Sequence, residues 1–260
     1  MSDRKTVFIT GAASGIGLAA AKRFASEGWF VGIADIDEPG MKAAVESLGN
    51  GAGKTYNLDV REDVQWRGAL ADFVKETGRL DVLVNNAGIA TFDWFDSQSL
   101  DDHLRQIDIN VKGVVIGAHE ALPYLKKTKG RLINIASQAS MMASPRLGVY
   151  SGTKYFVRGL SEALDIEFTR FGVRVGCIMP GLIDTPLLDK AGDAQGRSFR
   201  QAVQQQPLIN PSQVADAIWE AAHGEYLHYA IGETAVQQAV PLREAAKGAR
   251  ERWAPFLKGA

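Results

Sequence analysis

Tyr150 and Lys154 stand four residues apart in Tyr150-Ser151-Gly152-Thr153-Lys154. On a helix that spacing places both side chains on one face, one turn apart. A phenol in water exchanges protons poorly at neutral pH because its pKa is about 10. A nearby ammonium favours the phenolate and lowers that value. The pair can therefore take a proton from an alcohol or return one to a carbonyl oxygen. Helices carry many such pairs that do no chemistry, so the reading depends on what positions this one.

Thr6 to Thr10 reads as a short buried strand. It runs into Gly11-Ala12-Ala13-Ser14-Gly15-Ile16-Gly17 and then into a helical pattern from Leu18 to Glu27. Strand, glycine turn and helix together form the context of a dinucleotide fingerprint. Gly11 permits the tight turn, Gly15 lets backbone approach a pyrophosphate, and Gly17 lets the helix pack on the strand. The helix N-terminus offers free N–H groups to phosphates. The spacing is Gly-x-x-x-Gly-x-Gly rather than the commoner Gly-x-Gly-x-x-Gly, and the competing reading is an ordinary glycine-rich turn.

Phe30 to Ala34 reads as the next parallel strand, with Asp35 at its carboxyl end. An acidic residue about 20 positions beyond the glycine turn can accept hydrogen bonds from the adenosine ribose. It also repels a 2′-phosphate. Ile36 follows it and the turn holds no Lys or Arg, so NAD is expected over NADP. The alternative role for Asp35 is a helix cap. Asp81 to Gly88 (Asp-Val-Leu-Val-Asn-Asn-Ala-Gly) is an apolar strand ending in small and amide residues, which let a ligand lie close to backbone.

Together these segments resemble the short-chain dehydrogenase/reductase family. Thr10 to Gly17 is similar to its cofactor motif, Asn86-Ala87-Gly88 to its Asn-Ala-Gly motif, and Tyr150 with Lys154 to its active-site pair. Ser137 falls thirteen residues before the tyrosine, at the family's spacing for its catalytic serine. Asn110 falls at the fourth catalytic position. Pro180-Gly181-Leu182-Ile183-Asp184-Thr185 resembles the stretch that contacts the nicotinamide, and Asp59-Val60 the pair that contacts adenine. Asp59 reads equally as an N-cap for the next helix. The resemblance spans residues 6 to about 188.

The resemblance implies a cofactor held by Gly11, Ser14, Gly15, Ile16, Gly17, Asp35, Asp59, Val60, Asn86, Ala87, Gly88, Tyr150, Lys154, Pro180, Gly181, Ile183 and Thr185. It implies Asn110, Ser137, Tyr150 and Lys154 as the catalytic set. Tyr150 takes the hydroxyl proton as hydride leaves the carbinol carbon. Ser137 steadies the substrate oxygen, Lys154 lowers the tyrosine pKa and holds the ribose, and Asn110 holds a water behind Lys154.

At 260 residues and 46% hydrophobic content the chain suits one α/β domain, a Rossmann-type doubly wound parallel sheet flanked by helices. Further strands are expected at Lys54 to Asn57, Arg131 to Ser137 and Val173 to Met179. Helices are expected at Glu38 to Leu48, Asp63 to Glu76, Leu100 to Leu125, Gly148 to Phe171 and Pro211 to Ala222. A net charge of −1 gives no sign of nucleic-acid binding, and four scattered His with one Cys offer no metal cluster. Cys177 should be buried and inert. A lone Cys fits a reducing cytoplasm, the expected location. Neither a signal peptide nor a membrane span is legible.

The expected substrate wall comes from three loops: Phe92, Trp94 and Phe95; Met141, Met142, Pro145 and Leu147; and residues 185–206, a long polar stretch that reads as a mobile lid. These side chains favour an apolar alcohol or ketone as the small-molecule substrate, or else they pack the fold or a subunit contact. Arg146 reads as solvated or as a partner for one anionic group. After a short strand at Ala230-Ile231-Gly232, the tail over 233–260 reads as a helix (Thr234 to Ala245) and an amphipathic end with Trp253, Pro255, Phe256 and Leu257. By resemblance, the helices at Leu100 to Leu125 and Gly148 to Phe171 build a homodimer or homotetramer. Two rival functions are a non-catalytic NAD(H) sensor and an NAD-using epimerase or dehydratase. The intact catalytic set opposes the first, and the glycine spacing and short C-terminus oppose the second.

Overall fold

In the computed structural model, which describes residues 4–253, Thr6–Thr10 forms strand β1 with all five residues buried. Its side chains alternate between two apolar layers. Phe8 joins one layer with Leu83, Leu132 and Cys177; Val7 and Ile9 join the other with Val84, Ile133 and Ile178. That period of two is what a sheet covered on both faces requires. Cys177 is buried as expected, and burial pushes its thiol up to about 12.

The remaining strands are β2 (Phe30–Asp35), β3 (Gly53–Asn57), β4 (Val82–Asn85), β5 (Arg131–Ile135), β6 (Arg174–Pro180) and β7 (His228–Ile231). All pair in parallel, in the order β3-β2-β1-β4-β5-β6-β7. The chain steps outward from β1 to β3, then crosses back to lay β4 along the other edge of β1. This is the expected doubly wound Rossmann-type sheet. The reversal opens a crevice at the carboxyl ends of β1 and β4, where such sheets bind ligands.

Helices α1 (Gly15–Ser26), α2 (Glu38–Leu48), α3 (Asp63–Thr77), α4 (Leu100–Ile107) and α5 (Gly113–Thr128) alternate with the strands. They are followed by α6 (Gly148–Phe168), the short α7 (Leu187–Lys190) and α8 (Phe199–Ala202), α9 (Pro211–His223) and α10 (Glu233–Trp253). One face of the sheet is covered by α3, α5 and α6 through Trp66, Phe73, Ala121 and Val157. The other is covered by α1 and α9 through Phe24, Val214 and Ile218. Each large apolar side chain buried this way contributes about 1.5–3 kcal/mol.

Several boundaries differ from expectation, among them the end of β5, at Ile135 rather than Ser137. The helix expected over Leu100 to Leu125 is interrupted: α4 ends at Ile107, Asp108–Lys112 forms one wider π-type turn, and α5 begins at Gly113. Such turns cluster at functional sites, and this one holds Asn110, whose buried amide bonds to neighbouring segments. α6 gives way at Phe168 to a 3₁₀ turn closed by Gly172 at φ +71°. The last strand begins two residues early, at His228, and ends at Ile231 before Gly232 (φ +102°). α10 runs beyond Ala245 to Trp253; Pro255, Phe256 and Leu257 lie outside the described residues. No helix among the described residues is long and apolar enough to cross a membrane.

Candidate active site

A cleft of about 1230 Å³ runs along the carboxyl edge of the sheet. A pocket for one small ligand is about 300–1,000 Å³, so this cleft has room for a dinucleotide and a second molecule. Gly11, Ser14, Gly15 and Ile16 line one end. Gly11 and Gly15 sit at φ +63° and +56°, the left-handed region that glycine enters freely. Gly17 lies behind them. A Cβ there would stand 2.7 Å from Asn86 Nδ2 and closer still to the Gly11 carbonyl oxygen.

Asn86 Nδ2 donates to the carbonyls of Thr10 (2.8 Å) and Gly11 (3.1 Å), while Thr10 Oγ1 accepts from the backbone N–H groups of Asn86 and Ala87. These bonds tie the ends of β1 and β4 together under the cleft, with Ala87 and Gly88 on its surface. Ser14 occupies the N-cap of α1 without a side-chain bond back to the helix, and no acidic side chain stands in the first turn. The N-terminal N–H groups of α1 are thereby left to an anionic ligand. The cradle fits a pyrophosphate.

Asp35 Oδ2 accepts from Ala13 N–H (3.1 Å), and its Oδ1 from Ile36 and Asp37 N–H (2.8 and 3.1 Å). It caps no helix; Asp37 caps α2 by accepting from Gly40 N–H. Asp59 and Val60 line the same end. Asp59 is no cap either, since the N-cap of α3 is Glu62. Arg61, which no sequence pattern marks, also lines the cleft here and grips Asp59 through Nε and Nη2, holding its carboxyl below the usual range.

Ser137, Tyr150 and Lys154 meet in the same cleft, and the segment Pro180, Gly181, Ile183 and Thr185 walls it beyond β6. Ser137 follows β5, its Oγ accepting from Ala139 N–H as a 3₁₀ turn begins. Lys154 is buried. Its Nζ donates to the Ile135 carbonyl at 2.9 Å and lies 5.7 Å from the centre of the Tyr150 ring.

Burial dominates the electrostatics of this pair. It pushes the Tyr150 phenol upward, with the Ser137 hydroxyl offsetting part of the rise, and it brings Lys154 down to about 8. The lowered tyrosine pKa expected from Lys154 is thus absent in the protein alone. Asn110 does not line the cleft. Its Oδ1 accepts from Ile89 N–H and its Nδ2 donates to the Ile89 carbonyl and to Thr153 Oγ1, so both N–H donors are taken.

The outer wall differs from expectation. Phe92, Met142, Pro145 and Leu147 face the cleft. Trp94 and Phe95 are 57% and 69% exposed, and Phe95 stacks instead on His103; Met141 packs against the core. Residues 185–206 are not a bare polar loop. They carry α7 and α8, whose Leu188 and Phe199 join Phe92, Leu147 and Val203 in a third apolar cluster that touches Tyr150. Arg146 is neither solvated nor free for an anionic ligand. Its Nη2 donates to Asp193 Oδ2 (2.9 Å) and Asp93 Oδ1 (3.3 Å). Gln138 and Thr234 also line the cleft, and no local pattern marks Thr234, which reaches it from the start of α10. Among the described residues no group of His, Cys, Asp or Glu could hold a metal ion.

The short chain dehydrogenase family model matches residues 5–196, and the chain belongs to that family. It is 37% identical over 186 residues to a 2,5-dichloro-2,5-cyclohexadiene-1,4-diol dehydrogenase of Sphingobium indicum, covering 70% of this chain and 74% of that one. It is 32% identical over 213 residues to a meso-2,3-butanediol dehydrogenase of Serratia marcescens, covering 82% and 85%. Among solved structures it superposes with a TM-score of 0.79 on a 3-ketoacyl-(acyl-carrier-protein) reductase from Brucella melitensis complexed with NADH. That match is 28% identical and covers 87% of this chain and 96% of that one.

Proposed function

We propose that this chain interconverts a secondary alcohol and a ketone, with Tyr150 as the general acid/base and NAD as the cofactor. The observation that carries the reading is the convergence of Ser137, Tyr150 and Lys154 on one cleft with the glycine cradle. The dehydrogenase relatives, which act on alcohols by their names, and the NADH of the Brucella structure support it. A nicotinamide bound in the cleft would accept or donate the hydride.

The chain's residues handle the proton and the oxygen. Tyr150 takes the alcohol proton, or returns it to the ketone oxygen. Ser137 donates a hydrogen bond to that oxygen and stabilises the charge that develops there. The Lys154 ammonium beside the phenol favours the phenolate against the effect of burial. Asn110 fixes the Ile89 loop to α6 through its side chain. Asp35, with Arg61 neutralised by Asp59, favours an unphosphorylated ribose. The apolar cluster of Phe92, Leu147, Leu188 and Phe199 favours an apolar substrate.

We further infer one catalytic domain, a cytoplasmic location and a homodimer or homotetramer. The oligomer reading rests on exposed Leu104, Ile107, Val115, Tyr155 and Phe156 on α4, α5 and α6.

The deciding experiment measures NADH formation from NAD⁺ with small aliphatic, aryl, sugar and steroid secondary alcohols. Tyr150→Phe is the control and NADP⁺ the parallel cofactor. A signal lost in the variant supports the reaction. Tight NADH binding with silence across the panel would favour the sensor.

A further inference from the structure

Three loops that wall the outer cleft are joined by one buried charge cluster. Asp93, Arg146 and Asp193 come from segments roughly fifty residues apart in sequence. The carboxylate side chains of Asp93 and Asp193 are 5% and 0% exposed and the Arg146 side chain 17%. Besides the two bonds to Arg146, Asp93 Oδ2 accepts from Ala194 N–H at 2.7 Å, and Asp193 accepts from the backbone and Nε of Arg197. The Asp93 N–H in turn donates to the Arg146 carbonyl. Charges buried this deeply persist only when paired and hydrogen-bonded.

The cluster sits directly against the apolar wall. The Arg146 guanidinium lies 4.3 Å over the ring of Phe92, and that ring also stacks on Phe199 at 4.5 Å. Phe92 and Phe199 both face the cleft, one from the loop after β4 and the other from α8. Arg146 also holds φ +66°, a region in which glycine is at ease and an L-residue is strained. The backbone gains nothing from an arginine there, so the side chain is what the position uses.

Resting on the reading of the chain as an alcohol/ketone oxidoreductase, we propose that Arg146 is a positioning residue of the substrate pocket. Through Asp93 and Asp193 it clamps residues 185–206 onto the loop of Phe92 and fixes the Phe92–Phe199 wall, which selects compact apolar alcohols and ketones. None of the three charged groups touches the reacting atoms. Their effect is on where the wall stands relative to Tyr150.

The test compares Arg146→Met, Arg146→Gly, Arg146→Lys and Asp193→Asn with wild type on a compact and a bulky secondary alcohol, with NADH affinity measured alongside. Arg146→Met, Arg146→Gly and Asp193→Asn should raise KM for the compact alcohol about tenfold or more. kcat should change little, NADH affinity should hold, and the preference for the compact alcohol should narrow. Arg146→Lys, which keeps a charge, should recover part of the KM. Arg146→Gly relieves the backbone, so wild-type kinetics in it would overturn the proposal. A parallel loss of KM, kcat and NADH affinity in all variants would also overturn it, as general destabilisation. A second arm follows trypsin cleavage within 190–200 in the NADH complex. Arg146→Met and Arg146→Gly should be cut about tenfold faster than wild type, and equal rates would overturn the clamp. If the wild type turns over no alcohol, the functional reading falls while this arm still decides the clamp.

Discussion

Lys154 Nζ donates to the carbonyl of Ile135 at 2.9 Å, so the ammonium beside Tyr150 is anchored to the end of β5. That anchor holds a charge in a buried place, and burial lowers the lysine from 10.5 to about 8. Between these values the unfolded chain keeps a proton that the folded chain has lost, so stability rises with pH. Cys177, raised from 9.0 to about 12, acts in the opposite sense above pH 9. From pH 8 to 9 the cofactor-free protein should therefore gain stability by up to about 1 kcal/mol through Lys154. Urea midpoints across that interval should rise for wild type and stay level for Lys154→Met. An equal slope in both would remove the assignment.

Tyr150→Phe removes one hydroxyl and leaves the ring against the apolar cluster. Turnover should fall by about a hundredfold to ten-thousandfold. NADH binding, followed by fluorescence, should stay close to wild type. Substantial remaining turnover would show that another group moves the proton.

The proposed preference for NAD rests on Asp35, whose carboxylate is held in place by three backbone N–H groups. The ratio of kcat/KM for NAD over NADP should exceed one in wild type and shrink in Asp35→Ala. Arg61→Ala should alter that ratio less, since its guanidinium is already engaged by Asp59. A wild type that prefers NADP would reverse the reading of Asp35.

Gly17→Ala would push a methyl against Asn86 Nδ2 and the Gly11 carbonyl, both parts of the bonded frame that joins β1 to β4. Overpacking of this kind costs about 1–3 kcal/mol. Thermal unfolding should move down by several degrees and NADH affinity should weaken with it. Gly152→Ala, where a Cβ meets nothing inside α6, is the matched control: the unfolding temperature should hold or rise slightly and NADH affinity should not change.

The parts legible from sequence are those set by neighbours along the chain. β1, the glycine turn and α1 follow from residues 6–27, and the bounds of α2 are fixed by Asp37, Pro39 and Gly49 within a dozen positions. The Tyr150–Lys154 pair is one helical turn. The π-type turn at Asp108–Lys112 was not legible, because the partners of Asn110 are Ile89 and Thr153, 21 and 43 residues away. Arg146 looked solvated for the same reason: its partners lie 53 and 47 residues off. The one available signal was Asp93, an aspartate set among Phe92, Trp94 and Phe95. Trp94 and Phe95 match a pocket wall on residue type alone, whereas the fold buries Phe92 and leaves those two exposed.

β1 pairs with β2 24 residues downstream and with β4 75 residues downstream. As the chain is synthesised from its N-terminus, one edge of β1 therefore stays open until Asn85 has left the ribosome. That edge belongs to a strand carrying Val7, Phe8 and Ile9, so a chain truncated before β4 exposes a template for pairing with another chain. Because the glycine cradle grows out of β1, the nucleotide end of the cleft cannot close before the edge does. Nascent chains of this protein can thus assemble the nucleotide end of the cleft only after β4 has covered that edge of β1.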